Sequence, residues 1–94
     1  MVIEFLRFEV SLEKRAAFLK ADAAIWTAAL STYPGFISKE VWIDQETEHV
    51  VTMIRWESLE HWKSIPQADL EAIDAKMGEN WMPIVEARAL LPIV

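Results

Sequence analysis

The apolar positions change period along the chain, and each change marks an element. Residues 2–10 are rich in β-branched and aromatic side chains and short of turn formers, which predicts a strand. Alternation puts Val2, Leu6, Phe8 and Val10 on one face with Glu4 among them, and Ile3, Phe5, Arg7 and Glu9 on the other. Both faces carry apolar side chains, so both call for a cover. From Leu12 the period lengthens. Leu12, Ala16, Leu19, Ala23, Trp26 and Leu30 recur at helical spacing and predict a helix over residues 12–31. Ser11 stands at the N-cap position with Glu13 in the first turn, but Lys14 stands where a capping box needs Glu or Gln. Tyr33-Pro34-Gly35 ends the helix.

Residues 36–44 and 49–56 predict two strands joined by the loop 45–48. If Ile43 pairs with Val50, one face carries Ile37, Val41, Val50, Thr52, Ile54 and Trp56. The other then carries Phe36, Ser38, Glu40, Trp42, Val51, Met53 and Arg55. A one-residue slip exchanges them, so either Trp42 or Trp56 faces the helices. Ser58 caps a short helix over residues 59–64. Pro66 opens a second segment carrying Leu70, Ile73 and Met77, with Gly78 after its end. Residues 81–83 form a loop, residues 84–91 a last strand, and Pro92 turns the remainder into an edge or tail. The order β-α-β-β-α-β is that of the ferredoxin-like α+β fold, a four-stranded antiparallel sheet with helices on one face. Ninety-four residues make one such domain, 1–94.

Composition changes the picture in one respect. Fifty-three per cent of the residues are hydrophobic and five are Trp, more apolar material than a small monomer hides. A homodimer joined through the bare sheet face is the expected outlet. The tail Leu90-Leu91-Pro92-Ile93-Val94 points the same way. The absence of Cys excludes disulfides, thiolate nucleophiles and Cys-ligated metal. Two glycines exclude Gly-rich phosphate loops. A net charge of −6 argues against nucleic acid and anionic membranes. No signal-peptide core or membrane span is visible, and a cytoplasmic location is expected.

Three stretches carry a family resemblance. Leu30-Ser-Thr-Tyr-Pro-Gly-Phe36 resembles the helix end of the antibiotic-biosynthesis-monooxygenase-like dimeric α/β-barrel proteins, and Arg55-Trp56-Glu57-Ser58 resembles their Trp-x-Ser. Asp22 with Ile25-Trp26-Thr27, Lys39-Glu40-Val41-Trp42 and Trp62-Lys63-Ser64-Ile65-Pro66 are similar to a small subfamily. The resemblance implies a homodimer whose two sheets form a barrel, with a pocket between sheet and helices. It also implies one of several chemistries: cofactor-independent oxygenation of aromatic or quinol substrates, haem degradation, or lactone isomerisation. Haem-degrading relatives use an Asn on the first strand and a Trp and His on the second helix. Here the one Asn is Asn80, the Trp is Trp62 rather than position 65, and Asp74, Ala75 and Lys76 occupy the region of the His.

The catalytic candidates are His61, Arg55 and Tyr33, and Phe5, Trp26, Trp56 and Trp62 are the candidate pocket lining. Histidine is the usual base near neutrality, though His49 and His61 both also suit a solvated surface, and their spacing is not that of a metal site. Arg7, Arg55 and Arg88 either hold a substrate anion or pair with Glu4, Glu9, Glu40 or Glu86. The Trp residues either line a pocket for a planar, aromatic or quinone-like ligand or pack as core. Glu57 with Glu60 and Glu71 with Asp74 stand three apart and either pair for acid/base work or form a solvated helix face. Two function classes follow: a cofactor-free, metal-free monooxygenase-like enzyme or isomerase for a planar hydrophobic molecule, or a non-catalytic barrel binding a ligand or protein partner. Removal of Pro92–Val94 is expected to weaken self-association in sedimentation-equilibrium measurements, and an unchanged dissociation constant refutes the role given to the tail.

Overall fold

A computed structural model describes residues 1–93; the tail's last residue, Val94, lies outside the described residues. Strand β1 (Val2–Phe8) leads into α1 (Leu12–Asp22), which continues through a π-helical turn (Ala23–Thr27) into α2 (Ala28–Leu30). The hairpin β2 (Phe36–Ile43) and β3 (Val50–Trp56) follows, then α3 (Leu59–Lys63), α4 (Gln67–Ala75), a 3-10 turn (Gly78–Asn80) and β4 (Ile84–Leu90). The strands pair antiparallel in the order β2-β3-β1-β4, the ferredoxin-like arrangement. No helix among the described residues is long and apolar enough to cross a membrane.

Ile43 pairs with Val50, and this register turns Val50, Thr52, Ile54 and Trp56 toward the helices. Trp56 is wholly buried there, and Trp42 lies on the opposite face, 55% exposed. One part of the expected facing is corrected. A β-bulge between Phe36 and Ser38 leaves Ile37 without a partner on β3, so Phe36 joins the helix side and packs edge-on against Trp56 at 5.8 Å between ring centroids. Ile37 is exposed instead.

The long helix also differs from its expected inward stripe. Leu12, Ala16 and Ala23 are exposed, and the stripe that meets the sheet is Phe18, Asp22, Trp26 and Leu30. These lie four apart. In an α-helix four residues turn about 400°, so such a stripe drifts by about 40° at each step. The wider π turn over Ala23–Thr27 takes up that drift and keeps Trp26 and Leu30 over the sheet. Ser11 makes no side-chain cap; its backbone carbonyl accepts from Lys14 N–H at 3.0 Å. Ser58 does cap α3, its Oγ accepting from His61 N–H at 3.1 Å. The Pro34-Gly35 turn admits only glycine: Gly35 has φ +89°, and a β-carbon there would overlap the His61 side chain.

Two ion-pair systems fasten the layers. On the open face Arg7 donates to Asp44 Oδ2 at 2.7 Å and to Glu86 Oε1 at 2.8 Å, tying β1 to the hairpin loop and to β4. Under the helix, Lys39 Nζ meets Asp22 Oδ2 at 2.7 Å with both side chains almost fully buried. Breaking a buried pair leaves one charge stranded. Asp22→Ala is therefore expected to cost about 3–5 kcal/mol in urea unfolding, whereas Asp22→Leu with Lys39→Met is expected to be neutral or stabilising. Arg7 and two backbone N–H groups hold the Asp44 carboxyl at about 2, below its ordinary 3.8. The native state thus binds the Asp44 proton less readily than the unfolded chain. Its stabilisation is present above pH 3.8 and drains away as pH falls toward about 2. Asp44→Asn is expected to flatten that acid limb in pH-dependent melting.

Candidate functional site

The charged side chains of the inner sheet face stand in one cross-strand row. Glu4 on β1 and Lys39 on β2 both pair with Ile54 of β3, one from each side. Their backbones therefore stand about 10 Å apart, two strand spacings. Helix α1 brings Asp22 down onto Lys39, and the π turn brings Trp26 beside them. Trp62 and Ile65, on and after α3, and Leu70 on α4 close the other side. Between these walls lies a cavity of about 190 Å³, with Trp81 and Ile84 near β4 completing the lining. An apolar cavity of about 150 Å³ holds benzene, so this one suits one or two fused rings.

Its walls are mostly apolar, and the polar groups are few and placed. Trp56 Nε1–H donates to Glu4 Oε1 at 3.2 Å from within the core. Burial pushes the Glu4 carboxyl above its ordinary value, against the opposing pull of that hydrogen bond and of Lys63 and Lys39. Asp22 and Lys39 neutralise one another in the wall. Asp74, on α4, accepts from Trp81 Nε1–H at 3.1 Å and also lines the space. Thr52, wholly buried one row along β3, has a hydroxyl with no hydrogen-bond partner among the described residues. The arrangement can bind a flat apolar body and exchange a proton with it at Glu4.

The side chains expected to do chemistry lie elsewhere. Arg55 sits on the opposite sheet face and pairs with Glu40. Tyr33 donates its hydroxyl to Asp69 Oδ2 at 2.8 Å, and that carboxylate holds its phenol above the ordinary value. His61 is held within α3's cap, its Nδ1 2.7 Å from Ser58 Oγ, beneath the Gly35 turn. None of the three lines the cavity. Of the expected lining, Trp26 and Trp62 face the space. Trp56 packs behind it, and Phe5 lies on the open face beside Arg7, whose guanidinium is 5.8 Å from its ring centre. Phe5 is out because alternation puts it opposite Glu4 and Leu6. The arginines answer their own alternative: Arg7, Arg55 and Arg88 pair with Asp44, Glu40 and Glu86. Of the charged residues that line the cavity, Glu4, Asp22 and Lys39 were not site candidates in the sequence, and Asp74 was one only as a pair with Glu71. A signal existed for three of them, since Glu4 shares a face with Leu6, Asp22 lies midway between Phe18 and Trp26, and Lys39 is in phase with Val41 and Ile43.

Three solved structures share this architecture. A cofactor-independent oxygenase from Streptomyces nogalater superposes with a TM-score of 0.75 at 17% identity, covering 99% of this chain and 93% of that one. A monooxygenase from Streptomyces coelicolor, in complex with nanaomycin D, gives 0.74 at 17% identity over 97% and 86%. A haem-degrading protein from Mycobacterium tuberculosis, with two haems in its active site, gives 0.73 at 19% identity over 100% and 97%. No curated protein matches the sequence. The likeness to these structures is one of fold, since identities are this low. The sequence profile described as "Antibiotic biosynthesis monooxygenase" matches residues 1–69, which contain β1, the long helix, the hairpin, α3 and the Glu4–Ile54–Lys39 row, and the chain belongs to that family.

Proposed function

We propose that the protein is a cofactor-independent monooxygenase for a small planar phenol or quinol, acting as a cytoplasmic homodimer joined through its open sheet face. The observation that carries the reading is a partly buried carboxyl, Glu4, lining an apolar cavity walled by Trp26 and Trp62. A general base works best with a pKa drawn toward the working pH, and burial moves Glu4 in that direction. Glu4 takes the phenolic proton. The apolar walls and the tryptophan faces hold the ring, and the arenolate so formed is electron-rich enough to reduce dioxygen directly. For a phenol with a free para position the sum is phenol plus dioxygen giving quinone plus water. One oxygen atom becomes the new carbonyl, and the other leaves as water with the phenolic hydrogen and the displaced ring hydrogen. The family's monooxygenase relatives and the cofactor-independent oxygenase of the same fold support the assignment of reaction type. The open face supports the dimer: Trp42, Leu90 and Leu91 are exposed apolar side chains at or beside it.

The test is oxygen consumption with a panel of one- and two-ring phenols and quinols. Glu4→Gln is expected to lower kcat by about 10²- to 10⁴-fold with the fold intact. The acid limb of the wild-type rate profile is expected above the ordinary Glu value of 4.5, because the base acts ionised and its proton is held more tightly than usual. A variant with unchanged kcat removes Glu4 from the chemistry. Product formation without oxygen uptake reassigns the same proton transfer to an isomerase, and saturable binding without product makes the protein a ligand-binding barrel.

A further inference from the structure

The cavity's charge is uneven in a way that its shape does not require. Its lining holds three carboxyl side chains, Glu4, Asp22 and Asp74, against a single ammonium, Lys39. That ammonium is already taken: Asp22 Oδ2 lies 2.7 Å from Lys39 Nζ, and both side chains are shut off from solvent. The three arginines of the sheet are spent on the other face. Lys63 is outside the cavity, its ammonium 4.3 Å from the centre of the Trp62 ring. An entering anion thus meets carboxylates and, among the described lining residues, no free cation; the nearest unpaired ammonium, Lys63, lies behind the Trp62 ring and acts on Glu4 from there. An uncharged arene of the same shape meets only apolar walls and hydrogen-bonding groups.

We propose that Asp22 is a specificity residue: by neutralising Lys39 it sets the cavity to accept uncharged one- or two-ring arenes and to reject arene carboxylates of equal size. This rests on the cavity being the substrate site, as in the function proposed above. Asp22 takes no part in proton transfer. Its task is to remove the one positive charge to which a carboxylate would anchor. The partition follows from the fold, because the same helix that closes the cavity carries the neutralising group.

The matched probes are 2-naphthamide and 2-naphthoate, which share shape and differ in charge at pH 7. Titration calorimetry is expected to show the amide binding wild-type protein at least tenfold more tightly. A ratio below tenfold overturns the proposal, and so does the absence of binding by both. Asp22→Asn keeps the side-chain shape and frees the charge of Lys39. It is expected to tighten naphthoate binding at least tenfold while leaving the amide within about threefold. Adding Lys39→Met to that variant is expected to cancel the gain, and a gain that survives refutes the role of Lys39. If Asp22→Asn does not fold, the wild-type ratio decides. Glu4→Gln is expected to help naphthoate less than Asp22→Asn does, and the reverse order places the filter at Glu4. Oxygen uptake with 2-naphthol separates the two readings. Selective amide binding without oxygen uptake leaves the charge filter standing and the oxygenase reading fallen, and oxygen uptake with a ratio near one does the opposite.

Discussion

A lysine that the sheet turns indoors is the constraint around which the rest is arranged. The hairpin register pairs Ile43 with Val50, and alternation then carries Lys39 to the helix side with Val41. An unpaired ammonium there costs several kcal/mol, so the covering helix must present a carboxylate at that spot. Asp22 does so at 2.7 Å. Its place fixes how the helix is rotated, and the rotation selects the stripe Phe18, Asp22, Trp26 and Leu30 over the more obviously apolar Leu12, Ala16 and Ala23. The π turn follows from the same demand, because an unbroken α-helix would carry Trp26 and Leu30 round the side of that stripe. The cavity is what remains between a sheet row holding Glu4 and Lys39 and a helix pinned by one ion pair.

Much of the fold was legible because it rests on period and punctuation. The strands, the turn at Tyr33-Pro34-Gly35 and the Ser58 cap all follow from local rules that tertiary packing does not override here, whereas the choice between Trp42 and Trp56 had to wait for the hairpin register. The two departures have one physical origin. A bulge at Ile37 and a π turn at Ala23–Thr27 each change a repeat locally, and neither is announced by a glycine or proline inside it. Facing by period holds on one side of such a point and is inverted or rotated on the other, here the N-terminal side. Phe36 and Ile37 therefore exchange places, and Leu12 and Ala16 lie on the solvent side.

The site was less legible because the residues with the most familiar chemistry are occupied elsewhere. His61 is engaged by the Ser58 cap, Tyr33 by Asp69, and Arg55 by Glu40. His61 reaches its partner within a helix cap, Arg55 across the hairpin and Tyr33 from its turn to α4, and such pairing is the ordinary fate of polar side chains at element junctions. The groups that do face the cavity look commonplace in the sequence: a glutamate in a strand, an aspartate in a helix, a lysine in a hairpin. What distinguishes them is phase. Each interrupts an apolar face that is otherwise continuous, and a polar residue on a buried face needs a partner or a function.

Glu4 and Lys39 meet that need differently. Lys39 is satisfied by the protein, through a charge of opposite sign held in contact. Glu4 receives one hydrogen bond, from Trp56, and its carboxyl is left with burial as the larger influence. A purely structural carboxylate in this position would be expected to have more donors, since a carboxylate accepts several hydrogen bonds and unmet capacity indoors is costly. Hydrophobic replacement of a buried ion pair is often neutral or stabilising, so neither Asp22–Lys39 nor Glu4 is needed simply to fill the core. The wall therefore divides its polar groups by availability: a closed pair that offers a ligand no net charge, and two carboxyls, Glu4 and Asp74, that each accept one tryptophan N–H and have capacity to spare, of which burial raises Glu4. A cavity that binds a flat neutral molecule and takes one proton from it needs that division.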